Sequence, residues 1–211
     1  MGARILCLTM LAALGARGEI IDRIAVTVGK QVIAESDVLR DIRVSAFLDQ
    51  KPVDLSGSEK RKAADRLVDQ FLILQEAAFS KIPLAVESDA ANMLGSVKTL
   101  YGADYAAALA RYGITEADVV NHLAAGARAM RFTDLRFRPE VEITDDDVSD
   151  YYSTLLEEWR KQGETKIPTL DSIRDKVSEM VTNQRIGQAL DRWLGAQRTQ
   201  STILYHDQVF R

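Results

Sequence analysis

Few side chains in this 211-residue sequence are of the kinds that catalyse reactions or bind transition metals. The chain has two histidines, His122 and His206, and a single cysteine, Cys7. No two of them stand at the short spacing at which a helix or turn presents paired metal ligands. His122 lies in an apolar helical stretch, where a structural or surface role is the commoner one, and we expect His206, next to Asp207, to be exposed. These residues predict neither a metal centre nor a catalytic pair.

One acidic run, Asp145–Asp147, raises the question of a calcium site. It lacks the ligand spacing, the central glycine and the terminal glutamate of an EF-hand loop. An acidic first turn of a helix explains the run better, because negative charge is favourable at a helix N-terminus. The sequence also contains no glycine-rich phosphate loop and no G-x-S-x-G nucleophile motif. We therefore expect no enzymatic activity, no metal and no cofactor.

The composition is that of an ordinary folded protein with room for one domain. Hydrophobic residues make up 46% and charged residues 27% of the chain. The formal net charge is −4 and the isoelectric point is about 5.3. An acidic chain without a concentrated basic face disfavours nucleic acid as a partner.

The first eighteen residues have the organisation of a secretory signal peptide. Arg4 supplies a positive charge, and the apolar run Ile5–Leu14 is too short to span a bilayer. Small residues before Glu19 predict cleavage at that point, and the alternative is a buried N-terminal helix. Cleavage would remove Cys7 and two arginines, which leaves a cysteine-free chain of net charge −6 without a membrane anchor. We expect an exported, periplasmic protein.

The segment from residue 20 to residue 42 predicts a β-hairpin followed by a helix. Apolar and polar residues alternate over 21–28, Gly29 and Lys30 form a turn candidate, and 31–34 is a second apolar run. Ser36 or Asp37 is then suited to cap a helix. An isolated two-stranded hairpin is only marginally stable. We expect it to pair with the strand candidate at 201–205, near the other end of the chain.

Between these ends, apolar residues recur at helical spacing. Pro83, Gly102, Gly113 and Pro139 interrupt the pattern, and Thr115 with Asp118 forms a capping box. The apolar middle of the second helix predicts that this helix is central and buried. The predicted helices cover about 36–49, 59–81, 87–100, 104–112 and 116–137. A further helix begins with the acidic run at 145–147, and one long helix follows Thr169.

Three phrases of the sequence resemble SurA-type periplasmic chaperones, the SurA/PpiC group with its parvulin relatives. The first is VGKQVIAESDV at 28–38, in which Gly29 stands where those proteins often carry asparagine. The second consists of residues Gly102, Tyr105, Leu109, Gly113, Ile114, Thr115 and Val119. The third is EITDDDVSDYY at 142–152, which in full-length relatives precedes a parvulin isomerase domain.

The chain departs from that family after Trp159. A short polar link leads directly to a helix that resembles the family's C-terminal helix, including Trp193 and Leu194 near its end. The histidine-containing strand and glycine-rich turn of a parvulin site are missing. The resemblance implies one mainly α chaperone domain over 19–211, with parts at 19–161 and 169–211. A small antiparallel β element would join the N-terminal hairpin to the C-terminal strand.

The resemblance also implies a function, which is to hold unfolded polypeptides without ATP. The partners would be extended chains such as outer-membrane β-barrel precursors, held in a cradle between the N-terminal helices and the long C-terminal helix. Methionine and aromatic side chains suit such a surface because they adapt to many partner shapes. The candidate peptide-binding residues, each of which also fits a core position, are Met93, Leu94, Tyr101, Tyr105, Tyr112, Met130, Phe132 and Phe137.

Two other functions remain open from the sequence. One is a peptidyl-prolyl isomerase relative that has lost its activity, which a proline-limited refolding assay would test. The other is a dedicated interaction module that recognises one partner or dimerises through the long helix. Client breadth and light scattering would separate that module from a general chaperone.

Overall fold

The computed structural model describes residues 22–211, and 74% of these residues are helical. The predicted signal peptide, residues 1–18, lies outside the described residues. Short 3-10 turns occupy Gly102–Asp104, Arg138–Glu140 and Asp207–Phe210. The main elements, in chain order, are β1 (Ile24–Val28), β2 (Gln31–Ala34), α1 (Glu35–Leu48), α2 (Gly57–Phe79), α3 (Glu87–Tyr101), α4 (Tyr105–Tyr112), α5 (Glu116–Phe137), α6 (Asp145–Lys161), α7 (Leu170–Gln200) and β3 (Ile203–Tyr205).

A three-stranded antiparallel sheet joins the two ends of the described chain. Its strand order is β2-β1-β3, so the C-terminal strand pairs with the N-terminal hairpin, as the sequence predicted. Gly29 has a φ of 58° at the first position of the hairpin turn, a conformation that favours glycine. Thr27 stands opposite Val32 on one side and Leu204 on the other, so these three residues share the outer face. The sheet buries its other face against the helices.

The first helix begins one residue before the predicted caps. Its first residue is Glu35, and the carboxylate of Asp37 accepts a hydrogen bond of 3.1 Å from the backbone N–H of Ala34. Ser36 instead binds Asp22 through its backbone N–H and its hydroxyl. The Ser36 hydroxyl, followed by its backbone N–H, lowers the pKa of Asp22 below its ordinary value. Of the two predicted caps, Asp37 is therefore the one that accepts a backbone N–H at the helix start, and Ser36 ties α1 to Asp22, which precedes β1.

The second helix has the central position that its apolar middle predicted. Leu72 and Ile73 are both buried, whereas Leu74 on the next face is 41% exposed. Its cap is Ser56, whose hydroxyl accepts a hydrogen bond from the N–H of Glu59 at 3.4 Å. The helix begins at Gly57, two residues before its predicted start at residue 59.

The predicted capping box at the start of α5 is present. The Thr115 hydroxyl accepts a bond from the N–H of Asp118, and the Asp118 carboxylate accepts one from the N–H of Thr115. Thr144 and Asp147 repeat this arrangement at the start of α6. The acidic run at 145–147 therefore forms the first turn of a helix, as expected.

Apolar packing is divided among several clusters. One lies between the sheet, α1 and α2, a second surrounds Phe47, and a third surrounds Phe132. The N-terminal half of α7 packs against α6 through Val148, Val177 and Val181. The 31-residue α7, about 46 Å long, thus contacts α6 near its start and α2 and α5 further along.

Candidate functional site

Five of the eight predicted binding residues pack around Phe47. The ring of Tyr101 stacks on it with a centroid distance of 4.5 Å, and Tyr105 and Tyr112 meet it edge-on at 6.1 and 5.6 Å. The Tyr101 hydroxyl also donates a hydrogen bond of 2.6 Å to the backbone oxygen of Phe47. Met93 and Leu94 pack, partly buried, on the same cluster. These side chains hold α3 and α4 to α1 and show only part of their surface to solvent.

Two more predicted residues, Phe132 and Phe137, are core residues. Phe132 is 0% and Phe137 is 4% exposed. Their rings lie 5.2 and 6.3 Å from the ring of Trp193 on α7. Both phenylalanines therefore take the core position that the sequence left open for each candidate, because helical periodicity identifies an apolar face without revealing what covers it.

Met130 is the candidate that the structure leaves at the surface, with 61% of its area exposed. It lies on the edge of an open groove of about 640 Å³ between α5 and α7, which we call the α5–α7 groove. The apolar residues that line the groove are Ala127, Ala129, Met130, Ile186 and Leu190. The groove thus lies between α5 and the long C-terminal helix α7.

Polar groups line the rim of the α5–α7 groove and hold its two walls together. Arg138, at the end of α5, donates hydrogen bonds to Glu179 at 3.2 Å and to Asn183 at 3.1 Å, both on α7. It also pairs with Asp134. Arg131 lies on the same rim and forms no salt bridge with any residue of 22–211. The groove therefore combines an apolar floor with a fixed, partly charged edge.

A second groove, the α1–α2–α5 groove, has a volume of about 300 Å³. Its apolar wall consists of Ile33, Val44, Leu67, Phe71, Leu74 and Ala125. At its polar end lies Asp41, which is 5% exposed and accepts a hydrogen bond from Arg66 Nε at 3.1 Å. The carboxylate is also 3.3 Å from Nδ1 of His122.

The Asp41–His122 pair has the residue types of a catalytic dyad, but its surroundings favour a structural role. No serine, threonine or cysteine lines the groove, so His122 has no nucleophile to activate there. The pair joins α1 to α5, and Arg66 joins both to α2. Sequence reasoning expected a satisfied or surface histidine at 122 but gave no signal for its partner, because the pairing depends on three helices that are distant in sequence.

The exposure of the second histidine, His206, differs from the prediction. His206 is half-buried rather than exposed, and its Nε2 lies 3.3 Å from the hydroxyl of Thr27 on the sheet. Its backbone N–H donates a hydrogen bond to the carbonyl of Ala25. His206 thus continues the pairing of β3 with β1.

Metal ligands and membrane spans can be assessed for residues 22–211. No three histidine, cysteine, aspartate or glutamate side chains converge there on a possible ion site. Each helix of this part of the chain falls short of the length or the apolar character that crossing a bilayer needs. No protein-family model and no curated protein matches the chain.

Proposed function

We propose that this protein is an ATP-independent periplasmic chaperone that binds unfolded polypeptides, outer-membrane β-barrel precursors among them. The observation that carries the proposal is the α5–α7 groove, which is open and apolar and has the exposed side chain of Met130 on its edge. The resemblance to SurA-type chaperones and the signal-peptide pattern give the cellular setting. The α5–α7 groove supplies the physical means of binding.

The size of the groove fits a small number of client side chains. Ligand sites of about 300–1,000 Å³ accept groups of this kind. Fully burying one leucine or phenylalanine side chain contributes about 1.5–3 kcal/mol, and ordering the client opposes part of that gain. Two or three side chains would give weak, reversible binding. Such binding allows release without ATP.

The adaptable surface of methionine suits clients of varied sequence. An unbranched thioether side chain has three rotatable bonds and can fill gaps of different shapes. Met130 is free to adopt different rotamers because 61% of its surface is exposed. Across the groove, the partly buried Leu190 on α7 would then supply an apolar contact.

The experiment that tests this proposal measures aggregation of an unfolded outer-membrane β-barrel protein by light scattering. The protein beginning at Glu19 should suppress aggregation in a concentration-dependent way. Met130→Glu should weaken that suppression, because it places a charge on the edge of the apolar groove. Met180→Glu is the matched control, since Met180 is a helical methionine that is 42% exposed and lies outside the groove.

Failure of the unsubstituted protein to suppress aggregation at a several-fold molar excess would contradict the proposal. Equal loss of suppression in both methionine variants would show that general surface charge, rather than the α5–α7 groove, sets the effect.

A further inference from the structure

One edge of the sheet is formed by β2, because the strand order is β2-β1-β3. The hydrogen bonds between β1 and the residues in and beside β3 identify the β1 backbone groups that point toward β3. Gly29 N–H donates to the carbonyl of Thr202 at 2.8 Å, and His206 N–H donates to the carbonyl of Ala25 at 2.9 Å. Backbone groups of successive strand residues point to opposite sides. Val26 and Val28 therefore direct their backbone groups toward β2.

The free backbone groups of β2 follow from the same register. Ile33 and Gln31 stand opposite Val26 and Val28 and bond to β1. The N–H and C=O of Val32 consequently point away from the sheet, and 51% of this residue is exposed. The N–H of Ala34 is already bonded by Asp37. Val32 thus offers one donor and one acceptor at an open strand edge.

Apolar surface continues along this edge. The α1–α2–α5 groove reaches β2 at Ile33, and a further groove of about 750 Å³, the hairpin-tip groove, reaches it at Gln31. Both grooves are lined by Phe71 and Leu74 of α2. A chain lying beside β2 would place its inward-facing side chains, two residues apart, over these two grooves.

The charges at the two ends of β2 differ in sign. Lys30, at the hairpin tip, forms no salt bridge with the residues that the structure describes. At the other end, Asp37 and Asp118 share Arg40 at 2.9 and 3.2 Å, which leaves one negative charge in excess. A segment antiparallel to β2 starts at the acidic end and finishes beside Lys30. A basic residue near its start and an acidic residue near its end would complement both.

We propose that β2 accepts an extended polypeptide segment as an antiparallel fourth strand. The segment has apolar residues at alternate positions, a basic residue at its N-terminal end and an acidic residue at its C-terminal end. Main-chain bonds to Val32 supply affinity that does not depend on sequence, and the two grooves select apolar side chains. The inference rests on the proposed function for the nature of the partner, an unfolded chain, but it uses a surface separate from the α5–α7 groove.

The test uses a blocked hexapeptide of sequence KVTVTE and amide hydrogen exchange measured by NMR. Saturating peptide should slow exchange of the Val32 amide by at least about tenfold, since its N–H becomes hydrogen-bonded. Val32→Pro removes that N–H without removing a bond to β1, and should weaken peptide binding by about tenfold. Val32→Thr, which keeps the N–H, is the matched control and should bind within about twofold of the unsubstituted protein.

A second peptide tests the orientation of the charges. The peptide EVTVTK, of identical composition apart from the exchanged ends, should bind more weakly than KVTVTE, and equal affinity would overturn the proposed direction. Unchanged Val32 exchange in the presence of KVTVTE would overturn the strand addition itself, and this result needs no variant to fold. Protection of Val32 that rises with protein concentration alone would assign the edge to a second copy of the chain and overturn the proposal.

The two proposals can fail separately. If Met130→Glu abolishes aggregation suppression while KVTVTE leaves Val32 exchange unchanged, the strand addition is wrong and the chaperone function stands. If the protein suppresses no aggregation but KVTVTE still protects Val32, the strand addition stands as peptide binding and the chaperone function is wrong.

Discussion

A Cβ atom added to Gly57 would lie 1.9 Å from the carbonyl oxygen of Phe210. The C-terminal 3-10 turn therefore rests directly on the first turn of α2, at a distance that only glycine allows. Lys60, one turn further along α2, donates a hydrogen bond of 3.0 Å from Nζ to the carbonyl of Val209. The guanidinium of Arg61 lies 3.4 Å from the centre of the Tyr205 ring. The C-terminal end of the chain thus contacts the central helix α2 as well as the N-terminal hairpin.

Gly57→Ala should destabilise the protein by about 1–3 kcal/mol, because the C-terminal turn must move away from α2. Gly195→Ala is the control, since Gly195 lies within α7 and an added Cβ there meets open space. That substitution should stabilise the protein by about 0.5–1 kcal/mol through helix propensity. Urea unfolding followed by circular dichroism measures both changes. Equal stabilities for the two variants would show that the contact with Phe210 is not a constraint.

Arg198 connects the end of α7 to α2. Its Nε donates to Asp69 at 2.8 Å, and its Nη2 donates to the backbone oxygen of Asp65 at 2.9 Å. The hydrogen bond to Asp69 is the main cause that raises the pKa of Arg198. The Tyr205 hydroxyl donates to Asp65, which brings β3 into the same network.

Arg198→Gln should destabilise the protein by about 1–2 kcal/mol, since the side chain is only partly buried and its charged bonds are partly screened. Arg192→Gln is the control, because Arg192 is exposed on α7 and forms no salt bridge within residues 22–211. It should change the free energy of unfolding by less than about 0.5 kcal/mol. A similar loss in both variants, measured in the same urea titration, would contradict the proposed importance of the Arg198 network.

The free energy of unfolding should fall in acid as the carboxylates of the capping-box aspartates become protonated. The hydroxyl of Thr115, followed by its backbone N–H, holds the pKa of Asp118 below its ordinary value of 3.8, against the opposing effect of burial. A lowered pKa in the folded state means that this contribution is complete above the unfolded pKa. It is lost as the pH falls from about 4 through the lower folded pKa.

Asp118→Asn should lower stability by about 1 kcal/mol at pH 7 and should flatten the acid dependence below pH 4. Asp146→Asn, at an exposed position in the first turn of α6, should leave most of that dependence in place. Urea midpoints measured between pH 2.5 and pH 7 separate the two. An acid slope for Asp118→Asn as steep as that of the unsubstituted protein would rule out the cap as its source.

Phe132 and Met130 lie two residues apart on α5, but their substitution by alanine should affect stability very differently. Phe132→Ala should destabilise the protein by about 3–5 kcal/mol, because the ring is fully buried against Phe137 and Trp193. Met130→Ala should change stability by less than about 0.5 kcal/mol. Thermal unfolding tests this contrast, and a small effect at Phe132 would contradict the assignment of that ring to the core.

Local sequence signals predicted the elements that depend on local chemistry. The turn at Gly29, the capping box of Thr115 and Asp118, and the end of α4 at Gly113 each depend on residues only a few positions apart. Pairing of the C-terminal strand with the hairpin was also predictable, since an isolated hairpin needs a further strand. The likeness to SurA-type chaperones stays a prediction.

Contacts between distant elements were not predictable from the same signals. Periodicity places Phe132, Phe137 and Met130 on apolar or mixed faces of α5, but only the position of α7 decides that the phenylalanines are covered and the methionine is not. The burial of Asp41 depends on Arg66 and His122, which come from two other helices. The role of Gly57 depends on a turn at the opposite end of the chain. A single sequence gives no signal for these contacts between distant elements.

Site-specific photo-cross-linking tests whether clients bind in the α5–α7 groove. A photoreactive phenylalanine analogue at position 130 or, as the control, at position 180 would be irradiated with an unfolded outer-membrane β-barrel protein. Binding in the α5–α7 groove predicts a strong cross-link from position 130, a weak one from position 180, and loss of both when the client is folded. Equal cross-linking from the two positions, or none from position 130, would show that unfolded clients do not bind in this groove.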